Sequence, residues 1–142
     1  MKRKASAVWT GTLKEGKGTL STGSGALGKT PYSFSSRFED GKPGANPEEL
    51  LAAALAGCFT MALGAELGKA GHTPEEISTE ATAELKKDDD KWSVASFHLV
   101  TRGRVPGADA DEFARVADET GRNCIVARAL NARVSVDASL VS

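Results

Sequence analysis

Two cysteines, Cys58 and Cys124, carry the most distinctive chemistry in this chain, and 66 positions separate them. A thiol either packs as a small apolar side chain or, as the thiolate, acts as a nucleophile and redox group. Cys58 lies inside a charge-free, mostly apolar run over residues 50–65, where plain burial is a sufficient explanation for it. Cys124 falls at the expected start of a helix over residues 123–130, where backbone N–H groups and the helix dipole favour a thiolate. Two charged residues could serve such a thiol. Arg37 reads as a lone cation on the outer face of a strand. Glu48 and Glu49 both suit a helix N-terminus, but only Glu49 is needed for the cap, so Glu48 is the freer carboxylate. His72, with Glu75 and Glu76 close in sequence, offers too few ligands for a metal site. His72 and His98 read as structural. Phe59 and Met61 read most simply as core residues, or as walls of an apolar pocket beside Cys58.

These residues need a frame. Residues 5–13 read as a strand with Val8 and Trp9, residues 16–18 as a Gly-Lys-Gly turn, and residues 19–22 as a short second strand. Gly23-Ser24-Gly25-Ala26 is a loop by composition. Tyr32, Phe34, Ser36 and Phe38 alternate with Ser33, Ser35 and Arg37, which predicts a period-2 strand with Arg37 turned away from the aromatic face. Asn46 as cap, Pro47 at the first helical position and Glu49 at the third mark the clearest helix start, and Gly71 marks its end. A helix over residues 47–70 would be about 36 Å long, close to the roughly 37 Å diameter of a compact domain of this length. Residues 50–59 offer no polar face, so the helix belongs in a core, and a second subunit is needed to complete that core. Its uncharged run of 16 residues falls short of the 18 or more of a spanning helix.

Residues 77–85 alternate as a strand, Asp88-Asp89-Asp90 turns the chain, and residues 92–105 return as the second arm with a bulge near Ala95-Ser96. Asp109 and Glu112 open another helix, presenting Phe113, Val116 and Ala117 on one face and ending at Gly121. Residues 134–140 form the last strand. The order predicts one α+β domain over residues 1–142, largely antiparallel, built around a long apolar central helix.

Composition narrows the function. The chain has 142 residues, 40% hydrophobic and 26% charged, with 18 Lys and Arg against 19 Asp and Glu, a net charge of −1. That balance is globular, and it argues against nucleic acid or an anionic membrane as the main partner. Two cysteines make neither a disulfide scaffold nor a Cys-rich zinc site. The basic N-terminus is followed by no apolar stretch of a signal peptide, which gives a cytoplasmic expectation.

The stretch Asn46-Pro47-Glu48-Glu49-Leu50, with Cys58 ten residues after Glu48 and a second cysteine near the C-terminus, resembles the OsmC/Ohr family of thiol-dependent peroxidases. Gly16-Lys17-Gly18, Pro31-Tyr32 and Arg37-Phe38-Glu39 look closer to the OsmC branch. The resemblance covers nearly the whole chain. It implies an intertwined homodimer that reduces organic hydroperoxides to alcohols, without a bound cofactor or metal, and is reset by an external dithiol such as a lipoyl group. Cys58 would be the peroxidatic cysteine, Cys124 the resolving one, and Arg37 with Glu48 the pair that orients and activates the thiolate. Ten helical residues are about 15 Å, so Glu48 cannot touch Cys58 of its own helix. It would act on the partner chain's site, or through Arg37. The family's second cysteine usually precedes Pro-Val-Ser, whereas Cys124 precedes Ile125, so the proline that would fix the helix start is missing. A reading from another class is a non-catalytic dimeric binding protein for an apolar ligand, with Cys58 merely buried.

Overall fold

In the computed structural model, which describes residues 1–142, the chain divides after Leu50, and each part has its own three-stranded sheet. The first part is a meander of strands β1 (Ala5–Thr10), β2 (Lys17–Thr22) and β3 (Thr30–Tyr32), each antiparallel to the next. β1 stops at Thr10, short of the expected residue 13, because Gly11 takes φ +95°. The Gly-Lys-Gly turn is a correction. The chain turns earlier, with Gly16 N–H donating to Thr12 O at 2.8 Å, and Lys17 and Gly18 are already in β2. Gly18 answers to packing rather than turning. A Cβ there would lie 2.3 Å from Tyr32 Cε1 and 2.7 Å from Trp9 Cε3, so its bareness makes room for the tilted Trp9–Tyr32 ring pair.

The expected strand around Tyr32–Phe38 is a second correction. After β3 the chain forms a short helix, α1 (Phe34–Phe38). Ser33 caps it, accepting from Ser36 N–H at 3.1 Å, while Ser33 N–H donates to Ser36 Oγ at 2.9 Å. That reciprocal box satisfies two backbone donors, and the helical i,i+4 spacing brings the Phe34 and Phe38 rings to 5.1 Å. The alternation of aromatic and polar residues is also a four-residue spacing, and the capping serines decide between the two.

Helix α2 (Pro47–Lys69) starts as its sequence predicts, with Glu49 N–H donating to Asn46 Oδ1 at 2.7 Å. It ends in a Schellman motif: Gly71 takes φ +89°, its N–H donates to Gly68 O, and His72 N–H donates to Leu67 O. By length and composition alone α2 could cross a membrane. Within the second part of the chain, however, Leu55, Phe59, Leu63 and Leu67 form a fully buried stripe in one cluster with Phe97, Leu99 and Phe113. Each such side chain contributes roughly 1.5–3 kcal/mol on burial. Opposite this stripe, Met61 is 81% exposed, and Leu51, one turn before Leu55, is also open.

Strands β4 (Glu76–Asp88) and β5 (Lys91–Arg104) form a long antiparallel hairpin. Asp89 and Asp90, with φ of +46° and +62°, are the two-residue turn, of the primed kind that matches the strand twist. Glu84 pairs with Ser96 and Leu85 with Val94, which leaves Ala95 as the bulged residue. From β5 the chain crosses through α3 (Ala110–Asn123) and α4 (Ile125–Ala129) to β6 (Arg133–Leu140), which pairs parallel to β5. The fold is thus α+β with one parallel pair in otherwise antiparallel sheets; a helical crossover is what a parallel neighbour requires. Asp109 caps α3 through Glu112 N–H at 2.8 Å, and Phe113, Val116 and Ala117 are buried. Gly121 does not end α3. It lies within the helix, where a Cβ would come 2.5 Å from Val136 Cγ2, so it permits close packing against β6.

Candidate active site

The four candidate residues fall into two pairs. In the first part of the chain, α1 carries Arg37 and the first turn of α2 carries Glu48. Arg37 Nε and Nη2 both donate to Glu48 Oε1, at 2.9 and 2.7 Å. Contrary to the strand reading, Arg37 does not turn away from the aromatics: its guanidinium lies 5.2 Å from the Phe38 ring centroid. The Glu48 side chain is only 7% exposed, whereas Arg37 is 42% exposed. The second carboxylate oxygen, Glu48 Oε2, is buried and has no hydrogen-bond partner. A buried charge held on one oxygen alone depends heavily on its single cation. Ser36 fixes the geometry from below, its hydroxyl reaching Ala45 O at 2.8 Å. The signals that could have found this support were Ser33-x-x-Ser36 and the Phe34/Phe38 spacing.

In the second part, Cys58 on α2 and Cys124 at the α3–α4 junction come close enough for each thiol to feel the other electrostatically. Both are free thiols; Cys58 is half-buried and packs against the core cluster, and Cys124 is 5% exposed. Cys124 ends one helix and begins the next. Its N–H donates to Thr120 O at 2.9 Å, and its Sγ accepts from Ala127 N–H at 3.4 Å. Ile125 opens α4 directly after this cap, so the helix start holds without a proline.

The expectation of a thiolate-favouring site at Cys124 needs correcting. Burial pushes the Cys124 thiol up, and the neighbouring Cys58 pushes it further, against the lowering effect of the Ala127 and Val126 N–H groups. The physical reason is length: α4 has five residues, so its dipole is small and desolvation wins. Cys124 is a thiol that stays protonated.

Phe59 is a core residue with no exposure, while Met61 faces outward, so the two do not form one pocket wall. His72 Nε2 lies 3.0 Å from Glu112 Oε2, tying the end of α2 to the start of α3. His98 Nδ1 lies 2.6 Å from Ser135 Oγ across β5 and β6. Both are ties between elements. No three His, Cys, Asp or Glu side chains converge as a metal-binding group.

The description "OsmC-like protein" fits residues 39–139. Over 140 residues, 99% of this chain and 97% of the other, the sequence is 44% identical to Peroxiredoxin OsmC of Escherichia coli K12. The chain belongs to the OsmC family. The full-length identity sets it on the OsmC branch. Among solved structures, an OsmC-like protein of unknown function from Vibrio cholerae is similar with a TM-score of 0.76 and 19% identity, covering 97% of this chain and 99% of that one. The organic hydroperoxide resistance protein OhrB of Bacillus subtilis gives 0.72 and 22%, covering 97% and 98%. At these identities the likeness establishes the OsmC fold, and with it the α+β architecture read from the sequence.

Proposed function

We propose that this OsmC-family protein is a thiol peroxidase that reduces organic hydroperoxides to alcohols. The observation that carries the reading is the meeting of Cys58 and Cys124, two free thiols from distant parts of the sequence that lie close enough to interact. The name of the E. coli relative, a peroxiredoxin, and the hydroperoxide resistance named for the B. subtilis protein support it. The Cys58 thiolate attacks the terminal peroxide oxygen; the O–O bond breaks, the alkoxide takes a proton and leaves as alcohol, and Cys58 becomes a sulfenic acid. The Cys124 thiol then displaces water from that sulfenic acid and closes a disulfide. An external dithiol returns the two electrons.

Reactivity needs a thiolate. A thiol with pKa near 8.5 is about 3% ionised at pH 7, and reaching about 97% means lowering the pKa to roughly 5.5, worth about 4 kcal/mol. Arg37, steadied by Glu48, supplies that positive charge in this proposal. The working unit is a homodimer, because the exposed apolar face of α2 with Leu51 and Met61 calls for a cover, and a second copy offers the same face. We place the protein in the cytoplasm, where dithiols persist.

The test is consumption of cumene hydroperoxide with dithiothreitol as reductant, run beside hydrogen peroxide. Turnover that saturates, with the organic peroxide faster, is the expected result. A rate equal to that of dithiothreitol alone would reject the proposal.

A further inference from the structure

We propose that Thr60, tied through Thr79 to Thr101 by a chain of hydroxyl groups, is a positioning residue that sets the rotation of α2 and with it the gap between Cys58 and Cys124. This rests on the peroxidase reading above in taking the Cys58–Cys124 disulfide as the bond to be formed. It adds the residues that keep the two sulfurs in range.

The chain crosses three elements. Thr60 Oγ1 on α2 lies 2.7 Å from Ala56 O and 2.8 Å from Thr79 Oγ1 on β4. Thr79 Oγ1 lies 2.9 Å from Thr101 Oγ1 on β5, its direct partner across the strands, and Thr101 Oγ1 is 3.2 Å from Ser78 O. Each hydroxyl has one proton, and a carbonyl only accepts. The Thr60 proton therefore goes to Ala56 O, the shortest of these approaches, Thr79 donates to Thr60, and Thr101 donates to Thr79. The approach left without a proton, 3.2 Å to Ser78 O, is also the longest. The order runs from the sheet into the turn of α2 between Ala56 and Thr60, the turn that carries Cys58. Thr101 has no exposure, so a link missing there strands a buried hydroxyl.

Helix geometry makes this chain a lever. Successive residues stand about 100° apart around an α-helix, so with Phe59 pointing into the core, Cys58 lies on one flank and Thr60 on the other. Both flank residues are half-buried. The Cys58 flank faces α3: Ala62, one turn on, lines a cleft with Val116 and Cys124. The Thr60 flank faces β4: a Cβ on Gly64, one turn on, would lie 3.9 Å from Ile77 Cδ1, and Ile77 shares its strand face with Thr79. Between the flanks, Leu55, Phe59, Leu63 and Leu67 make apolar contacts that have no preferred direction. Hydrogen bonds have one, so Thr60 fixes the angle that this stripe leaves soft. Side chains reach about 5 Å from a helix axis, so a rotation of about 10° shifts Cys58 Sγ by about 1 Å. The Cβ···Cβ range of a disulfide is itself only about 1 Å wide.

The test reads the strength of the disulfide with no peroxide present. The full chain is equilibrated with mixtures of reduced and oxidised glutathione, quenched in acid, labelled with N-ethylmaleimide and measured by intact mass. In this exchange Cys58 and Cys124 give up two electrons and two protons and form one S–S bond, while one glutathione disulfide takes them up and becomes two thiols. The midpoint gives the effective concentration of one cysteine at the other.

Thr60→Val should lower that effective concentration at least about tenfold, and Thr60→Ser, which keeps the hydroxyl, should stay within about threefold of the unsubstituted protein. The triple variant Thr60→Val/Thr79→Val/Thr101→Val separates positioning from stability. It removes donors and acceptors together at nearly constant shape, so its urea unfolding should stay close to that of the unsubstituted protein. Its effective concentration should nevertheless fall as far as that of Thr60→Val. An unshifted equilibrium in Thr60→Val or in the triple variant overturns the proposal, as does a loss in Thr60→Ser equal to that in Thr60→Val. Glutathione makes the disulfide without peroxide, so the two readings fail separately. Shifted equilibria in a protein that consumes no peroxide would sink the peroxidase reading and leave the positioning role standing. Peroxide turnover with unshifted equilibria would do the reverse.

Discussion

Cys58→Ser protein is expected to consume cumene hydroperoxide no faster than buffer, a loss of at least roughly a thousandfold, because in the proposed mechanism Cys58 is the group that takes the peroxide oxygen. Cys124→Ser should behave differently. Its Cys58 still attacks peroxide, so the first turnover survives, but the sulfenic acid has no thiol to condense with. Excess peroxide then carries it to sulfinic acid, an irreversible gain of about 32 Da. Stopped-flow peroxide loss and intact mass on the two variants separate these roles. If Cys58→Ser retained turnover while Cys124→Ser lost its first turnover, the assignments would be reversed.

The second large effect concerns Arg37. Replacing it with Met leaves Glu48 buried with no cation on either oxygen. Breaking a fully buried ion pair costs roughly 3–5 kcal/mol, and since Arg37 is partly solvated the loss here should be nearer about 2 kcal/mol. Urea denaturation measures it. The double variant Arg37→Met/Glu48→Met should recover much of the loss, because the stranded charge goes with its partner. Activity should separate from stability. Under the proposal that Arg37 supports the reactive thiol, Arg37→Met should slow peroxide consumption at least about tenfold, while Arg37→Lys, which keeps the positive charge, should lose less. Equal losses in the two variants, tracking their losses of stability, would mean that Arg37 acts on structure alone.

Much of the fold could be read from local signals because those signals are physically local. Asn46-Pro47 and Gly71 delimit α2 since caps answer to backbone donors within a few residues, and the aspartates at residues 88–90 announce their hairpin for the same reason. Other features depend on distant partners. Residues 32–38 fit a strand and a helix equally by spacing, and only the Ser33–Ser36 box resolves them. The parallel pairing of β6 has no local signature, because strand direction is set by the crossover through α3 and α4. Gly121 looks like a stop in sequence and is a contact with Val136 in space.

The site divides in the same way. Residue type, spacing and resemblance single out Cys58, Cys124, Arg37 and Glu48 as candidates, and the structure groups them as two pairs. That Arg37 and Glu48 bond directly was one of two geometries the helix length allowed. What sequence could not supply was environment. Cys124 at a helix start promised an acidic thiol, and burial reverses the direction.

The most direct measurement is a free-thiol count with intact mass on reduced protein after one equivalent of cumene hydroperoxide. Loss of both thiols with a decrease of about 2 Da, the two hydrogens given up in a disulfide, is the predicted result. Two unreacted thiols and an unchanged mass would contradict it, and would mean that this OsmC-family chain keeps the fold without the peroxide chemistry.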